Sequence, residues 1–209
     1  MKNLNLIFLS IITLFFFSAC KKDKNPDKSP TNQYYIKGTL NNSLIDWEVT
    51  DDNTNWITAT ASQGSNNQGV FTGSLTAQIY AAKGYQPLIG IDFRTLYLSY
   101  EDDKTAYFNG FVTTGSWNFA STPFYNKGSK SVIVYYTDSQ GNPYSSVGAQ
   151  AGSLKVVSVT RIPAILVNNE ALKIKVAFSC TLYPLSGTGS TVTLTNVDAT
   201  MYMEDLIPL

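Results

Sequence analysis

Between residues 171 and 183 apolar and polar side chains alternate with a period of two. Leu172, Ile174, Val176, Phe178, Cys180 and Leu182 fall on one face, and Lys173, Lys175, Ser179 and Thr181 on the other. A strand points successive side chains to opposite faces of its sheet, whereas a helix repeats every 3.6 residues. The run therefore predicts a half-buried antiparallel strand, apolar toward a core and polar toward water. Residues 69–82 read the same way. Phe71, Gly73, Leu75, Ala77, Ile79 and Ala81 share one side, and Thr72, Ser74, Thr76, Gln78 and Tyr80 the other.

Further strands are predicted over 34–40, 44–49, 55–62, 87–93, 95–100, 104–112, 131–137, 153–162 and 190–203. The last one slips phase. Val192 and Leu194 are even-numbered, while Val197, Ala199, Met201 and Met203 are odd-numbered. A bulge near Asn196 would restore the inward face. Turn residues separate the runs: Asn41-Asn42, Gln63 to Asn67, Asp138 to Pro143, and Ser186 to Gly189. No segment combines a 3.6-residue period with helix caps, and no internal repeat is found. Residues 113–129 are expected to hold a long loop. Together these predict an all-β fold, an antiparallel β-sandwich or partly open barrel of about ten strands, spanning 34–209.

The N-terminus has a different character. Lys2 precedes an apolar run from Leu4 to Phe17, followed by Ser18, Ala19 and Cys20. The run, about fourteen residues, is shorter than the roughly 20 needed to span a bilayer as a helix. A charge, an apolar region and small residues in that order predict a signal peptide over 1–19. Residues 21–33, KKDKNPDKSPTNQ, are polar and carry two prolines. With Cys20 they read as a flexible tether over 20–33.

Composition excludes several chemistries. The 209-residue chain contains no His, which removes the Ser-His-Asp triad, the Cys-His pair and His-ligated zinc. It has two Cys, Cys20 and Cys180, too few for a disulfide framework. From Tyr34 onward there are 10 basic and 13 acidic residues. That is no basic footprint for nucleic acid.

Ser18-Ala19-Cys20 resembles the lipobox of bacterial lipoproteins. The resemblance implies cleavage before Cys20 and acylation of its thiol, with membrane lipid as the partner. Lys21 in place of Asp points to the outer membrane, on an undecided face. Gly115-Ser116-Trp117, Val132 to Tyr136, Asp138 to Gly141, Gly152 to Val156, Val176 to Cys180 and Leu194-Thr195-Asn196 resemble uncharacterised outer-membrane lipoproteins of Bacteroidetes-type bacteria. That group often has Gly where this chain has Val176 and Val197. The likeness covers roughly 113–203 and implies a β-sandwich, but no activity.

Several residue groups invite a chemical reading. Asp46 and Glu48 flank Trp47 on one strand, an i, i+2 spacing that could mimic a glycosidase carboxylate pair. Such pairs normally come from different elements, so two solvated charges is the simpler reading. Asp51 to Asn55 and Glu101-Asp102-Asp103 are rich in oxygen ligands, but lack the glycine and distal Glu of an EF-type calcium loop. They read as polar turns, with no metal or cofactor expected. Cys180 shares a face with Val176, Phe178 and Leu182, which predicts an inert buried thiol. Trp117 and Tyr125, in the aromatic segment 115–125, and Tyr144, in the loop 138–152, are the candidate ligand-binding residues. Their composition suits adaptable binding surfaces, including stacking on sugars; Trp47 and Trp56 are weaker candidates. The expected function is a membrane-tethered, noncatalytic binding module for glycan or protein. The alternative is a structural or adhesion subunit of a surface assembly, and a carboxylate-based hydrolase comes third.

Overall fold

A computed structural model describes residues 34–49, 56–65, 70–81, 87–99, 103–123, 130–164 and 170–204. The chain divides into two compact units, Met1–Pro30 and Thr31–Leu209. The segments predicted as signal peptide and tether, Cys20, Asp51 to Asn55, Glu101, Asp102 and Tyr125 lie outside the described residues.

Among the described residues eleven strands form one sheet. They are β1 (Tyr35–Leu40), β2 (Ser43–Glu48), β3 (Trp56–Ser65), β4 (Val70–Tyr80), β5 (Leu88–Ser99), β6 (Gly115–Phe119), β7 (Ser131–Thr137), β8 (Pro143–Ser145), β9 (Ser153–Pro163), β10 (Glu170–Pro184) and β11 (Val192–Glu204). Ten run in the order β2-β1-β11-β10-β9-β6-β7-β5-β4-β3, and β8 bridges β10 and β7 off that path. The path folds over so that β11, near one end, lies against β3 and β4 at the other. Among the described residues one large core fills the fold, beside a small second cluster of Tyr34, Ala171 and Tyr202. The large core takes side chains from both halves, among them Ile36, Ile45, Leu75, Phe93, Val134, Leu154, Leu172, Leu194 and Met201. The all-β class is as predicted, with one difference in polarity: β6 pairs with β7 in parallel, so the sheet is mixed.

The alternation in β10 fixes its inward face, with Leu172, Ile174, Val176, Phe178, Cys180 and Leu182 all buried. The phase slip in β11 is a bulge. Phe178 pairs with Val197 and Cys180 with Leu194, leaving one extra residue on β11. Asn196 takes it up at φ 50, and its N–H is satisfied by Ser179 Oγ at 2.9 Å. The bulge presses on β1, where a Cβ on Gly38 would lie 3.0 Å from the Thr195 carbonyl oxygen. Glycine is therefore required there. Burial alone pushes the Cys180 thiol up to about 12. A thiol reagent should accordingly leave the native domain unlabelled at Cys180 and react there once after denaturation. Fast labelling of the folded protein would show the strand in the wrong register.

Four expectations are corrected. Residues 104–112 do not form a strand; Lys104–Phe111 is a helix, α1. Asp103 caps it by accepting the Ala106 N–H at 3.0 Å, a standard N-cap bond. Phe108, Phe111 and Val112, at i, i+3 and i+4, enter the core. The runs 87–93 and 95–100 are one strand, β5. The pairings Gly73 to Leu96 and Ser74 to Arg94 place a bulge at the break between them. Segments 113–129 and 138–152 are not plain loops, because β6 pairs with β9 and β8 with β10 and β7.

The polar side of β4 is not solvated: Ser74, Thr76 and Tyr80 are buried. Thr76 Oγ1 donates to Asp92 at 3.3 Å, and Arg94 Nε donates to Asp92 at 3.0 Å. Arg94 also donates to the Pro123 carbonyl, tying the 120–123 turn to β5. Desolvation raises the Asp92 pKa against the hydrogen bond from Ser74 and the charge of Arg94. A buried pair of this kind needs its partners, because removing one strands the other's charge.

Candidate functional site

The outer face of β2-β1-β11-β10-β9 carries the charged side chains. Register alone aligns them. Asp46 lies opposite Lys37, Lys37 opposite Asp198, Asp198 opposite Ala177, and Ala177 opposite Lys155. One rung along, Glu48, Tyr35, Thr200 and Lys175 line up in the same way. Opposite charges facing each other across antiparallel strands favour the pairing only modestly where, as here, solvent screens them.

Lys37 Nζ meets Asp46 Oδ1 at 3.1 Å and also contacts Glu48. Its hydrogen bonds to Glu48, then Asp46, raise its pKa. Lys175 meets Asp198 at 3.4 Å. Tyr35 and then Asp198 raise its pKa. Asp198 Oδ2 also accepts the Tyr35 hydroxyl at 3.4 Å. Its Oδ1 has no hydrogen-bond partner among the described residues. Ala177 leaves a gap between Asp198 and Lys155. A shallow groove of about 680 Å³ opens there, lined by Lys155, Lys175, Phe178, Ser179, Asn196 and Asp198. The bulges at Asn196 and Val157 shape it, by lifting β11 and β9 out of regular pleat.

Of the three predicted ligand-binding residues, Trp117 and Tyr144 are described and Tyr125 is not. Trp117 is 3% exposed, which corrects its reading as a stacking platform. It packs edge-on against Phe93 at 5.2 Å and Phe111 at 6.2 Å, and its Nε1 donates to the Thr113 carbonyl at 2.9 Å. Lys130 covers the ring at 5.7 Å. Alternation along β6 turns Trp117 inward, opposite Leu154 of β9. Tyr144 is half-buried in β8, 5.8 Å from Tyr136. Trp47 is likewise packed against the core. Asp46 and Glu48 share Lys37 on an outer strand rather than flanking a cleft. No group of three or more His, Cys, Asp or Glu that could hold a metal occurs among the described residues.

The sheet has two poles. The described domain begins at Tyr34, beside Val49, and Glu204 and Glu170 lie at that end. The other pole carries turns. Asn41 and Asn42, at φ 48 and 66, make the two-residue hairpin between β1 and β2. Asn41 Oδ1 accepts the Thr193 N–H at 2.9 Å, fixing this turn to β11. The 185–191 and 138–142 turns sit at the same pole, joined by the Leu185 N–H to the Pro143 carbonyl at 3.0 Å. Leu44 and Leu185, 87% and 57% exposed, are there too.

Asp138 braces this pole. Its Oδ1 accepts the N–H groups of Gln140 and Asn142 at 2.9 and 2.8 Å, and Oδ2 the Asn142 amide at 2.8 Å. The Asn142 side chain first, with those backbone donors, lowers the Asp138 pKa. A depressed pKa gives stability that is present above the unfolded value, about 3.9 for Asp, and lost as pH falls through the folded one. Asp138→Ala should therefore lower Tm at pH 7, with the gap from wild type closing below about pH 4. Melts showing a pH-independent gap would rule out the ionic origin.

Lys37, Tyr35, Lys175 and Asp198 were not singled out from the sequence. Alternation puts them on outer faces, but only the strand order sets them side by side. In comparisons with known proteins, no family model matches the chain, and no curated protein or solved structure matches it.

Proposed function

We propose that this chain is a membrane-tethered, noncatalytic binding module whose ligand is a protein. One observation carries the choice of ligand. The large hydrophobic side chains exposed among the described residues are Leu44, Val157 and Leu185, all aliphatic. Stacking on a sugar face needs an exposed ring. Aliphatic side chains beside a zwitterionic face suit a protein surface, where apolar contacts hold and charges set the register. Anchorage through acylated Cys20, in the outer membrane, belongs to the same reading. It would leave the Leu44 and Leu185 pole farthest from the point where the chain enters the domain. The lack of His in the chain supports the noncatalytic part.

The test is binding of the labelled mature protein to the native envelope after two treatments. A protein ligand predicts loss of binding after protease and retention after periodate. The reverse result would return the ligand to the glycans, and no binding at all would remove the reading. The second reading, a structural or adhesion subunit, is favoured by β2, which ends the sheet path among the described residues.

A further inference from the structure

We infer that the groove over Ala177 is the seat of an acidic side chain, a glutamate or aspartate carried by the protein ligand. The inference rests on the binding-module reading and names the chemistry of its partner.

The gap is built by register. Asp46, Lys37, Asp198, Ala177 and Lys155 follow one another on a single rung across β2, β1, β11, β10 and β9. Every member but Ala177 is charged. Neighbouring strands lie about 4.8 Å apart, so the backbones of Asp198 and Lys155 are about 10 Å apart with one methyl group between them. Lys175 and Ser179 of β10 stand on either side of Ala177 and line the same groove. On β9 the extra residue of the bulge, Val157, is 44% exposed and gives the groove an apolar wall.

The charged side chains of the groove are Lys155, Lys175 and Asp198, two positive against one negative. They are not equally matched. Lys175 lies 3.4 Å from Asp198, whose Oδ2 also accepts the Tyr35 hydroxyl at 3.4 Å. Asp198 is thus answered within the fold. Lys155 is exposed and has no ion-pair partner among the described residues. Its rung neighbours are Ala177 and, on β6, Ser116, neither of them charged. The unanswered charge at the groove is therefore positive. An incoming carboxylate meets Lys155 and shares Lys175, while the methylenes that carry it rest on Ala177 and Val157. A bare inorganic anion would forgo those apolar contacts. A basic segment would meet two lysines around one aspartate. Residues 21–33 hold four Lys and two Asp, so the same charge disfavours that segment as the occupant.

The probe is a capped peptide reading serine, valine, glutamate, valine, serine, titrated against the mature protein at low salt. Binding should weaken at least about tenfold when lysine replaces the glutamate, and it should fall with added salt. Lys155→Glu should weaken it to the same degree, and Lys155→Gln by about threefold to fivefold. Ala177→Leu keeps every charge and fills the gap, so it should abolish binding. If Ala177→Leu lowers the melting temperature, the two Lys155 variants, at an exposed position, decide. Equal affinity for the lysine peptide, or binding untouched by Lys155→Glu, overturns the inference. So does displacement of the peptide by equimolar inorganic phosphate or oligogalacturonate, or a dimer that Ala177→Leu abolishes. If envelope binding persists while the peptide fails, the inference falls and the binding-module reading stands; if both fail, both fall.

Discussion

Replacing Cys20 with Ala should move the protein from the membrane fraction to the soluble one. The expected change is from nearly complete membrane recovery to nearly none. Each methylene buried in a bilayer contributes about 0.8 kcal/mol, and a single acyl chain anchors only reversibly. Two or three chains on one Cys would hold the protein almost permanently. No helix among the described residues is long and apolar enough to cross a membrane, and the large apolar side chains exposed among those residues are Leu44, Val157 and Leu185. Mass spectrometry of the wild-type protein from its native membrane should find lipid on Cys20. Recovery of Cys20→Ala in the membrane fraction at the wild-type level would defeat the anchor.

The second large effect is on folding. Trp117→Ala should destabilise the domain by about 3–5 kcal/mol, the usual cost of truncating a buried large aromatic. That is a large share of the 5–15 kcal/mol that holds an ordinary domain together. The ring joins α1 to the sheet through its contacts with Phe111 and Phe93, so its loss should loosen both. Trp117→Phe keeps part of the contact and gives up the bond from Nε1 to Thr113; it should cost less. Denaturant titration of the three proteins measures the series. A Trp117→Ala protein of wild-type stability that had lost ligand binding would restore the ring to a binding surface.

The sequence carried the strands and their faces, because period-two alternation is local and one side of each strand meets a core. Val176, Phe178 and Cys180 turned inward as the pattern required. Even the bulge at Asn196 was legible, since an extra residue shifts the phase of every residue after it. The helix α1 was not, although Asp103 and the spacing of Phe108, Phe111 and Val112 carried its signal. An acidic run before aromatics reads as a turn before a strand until the packing partners are known.

Two features lay beyond local pattern. The aromatics of 115–125 resemble a binding loop in composition. Trp117 is core only because β6 pairs with β9 and β7, contacts distant in sequence. The charge ladder is likewise a product of strand order. Lys37 is separated by most of the chain from Asp198 and Lys175, which lie on the two arms of one hairpin, and β1 and β11 become neighbours only when the sheet assembles. What each residue is, and which side of its strand it takes, is written locally; which charge it meets depends on pairings that only the folded sheet makes.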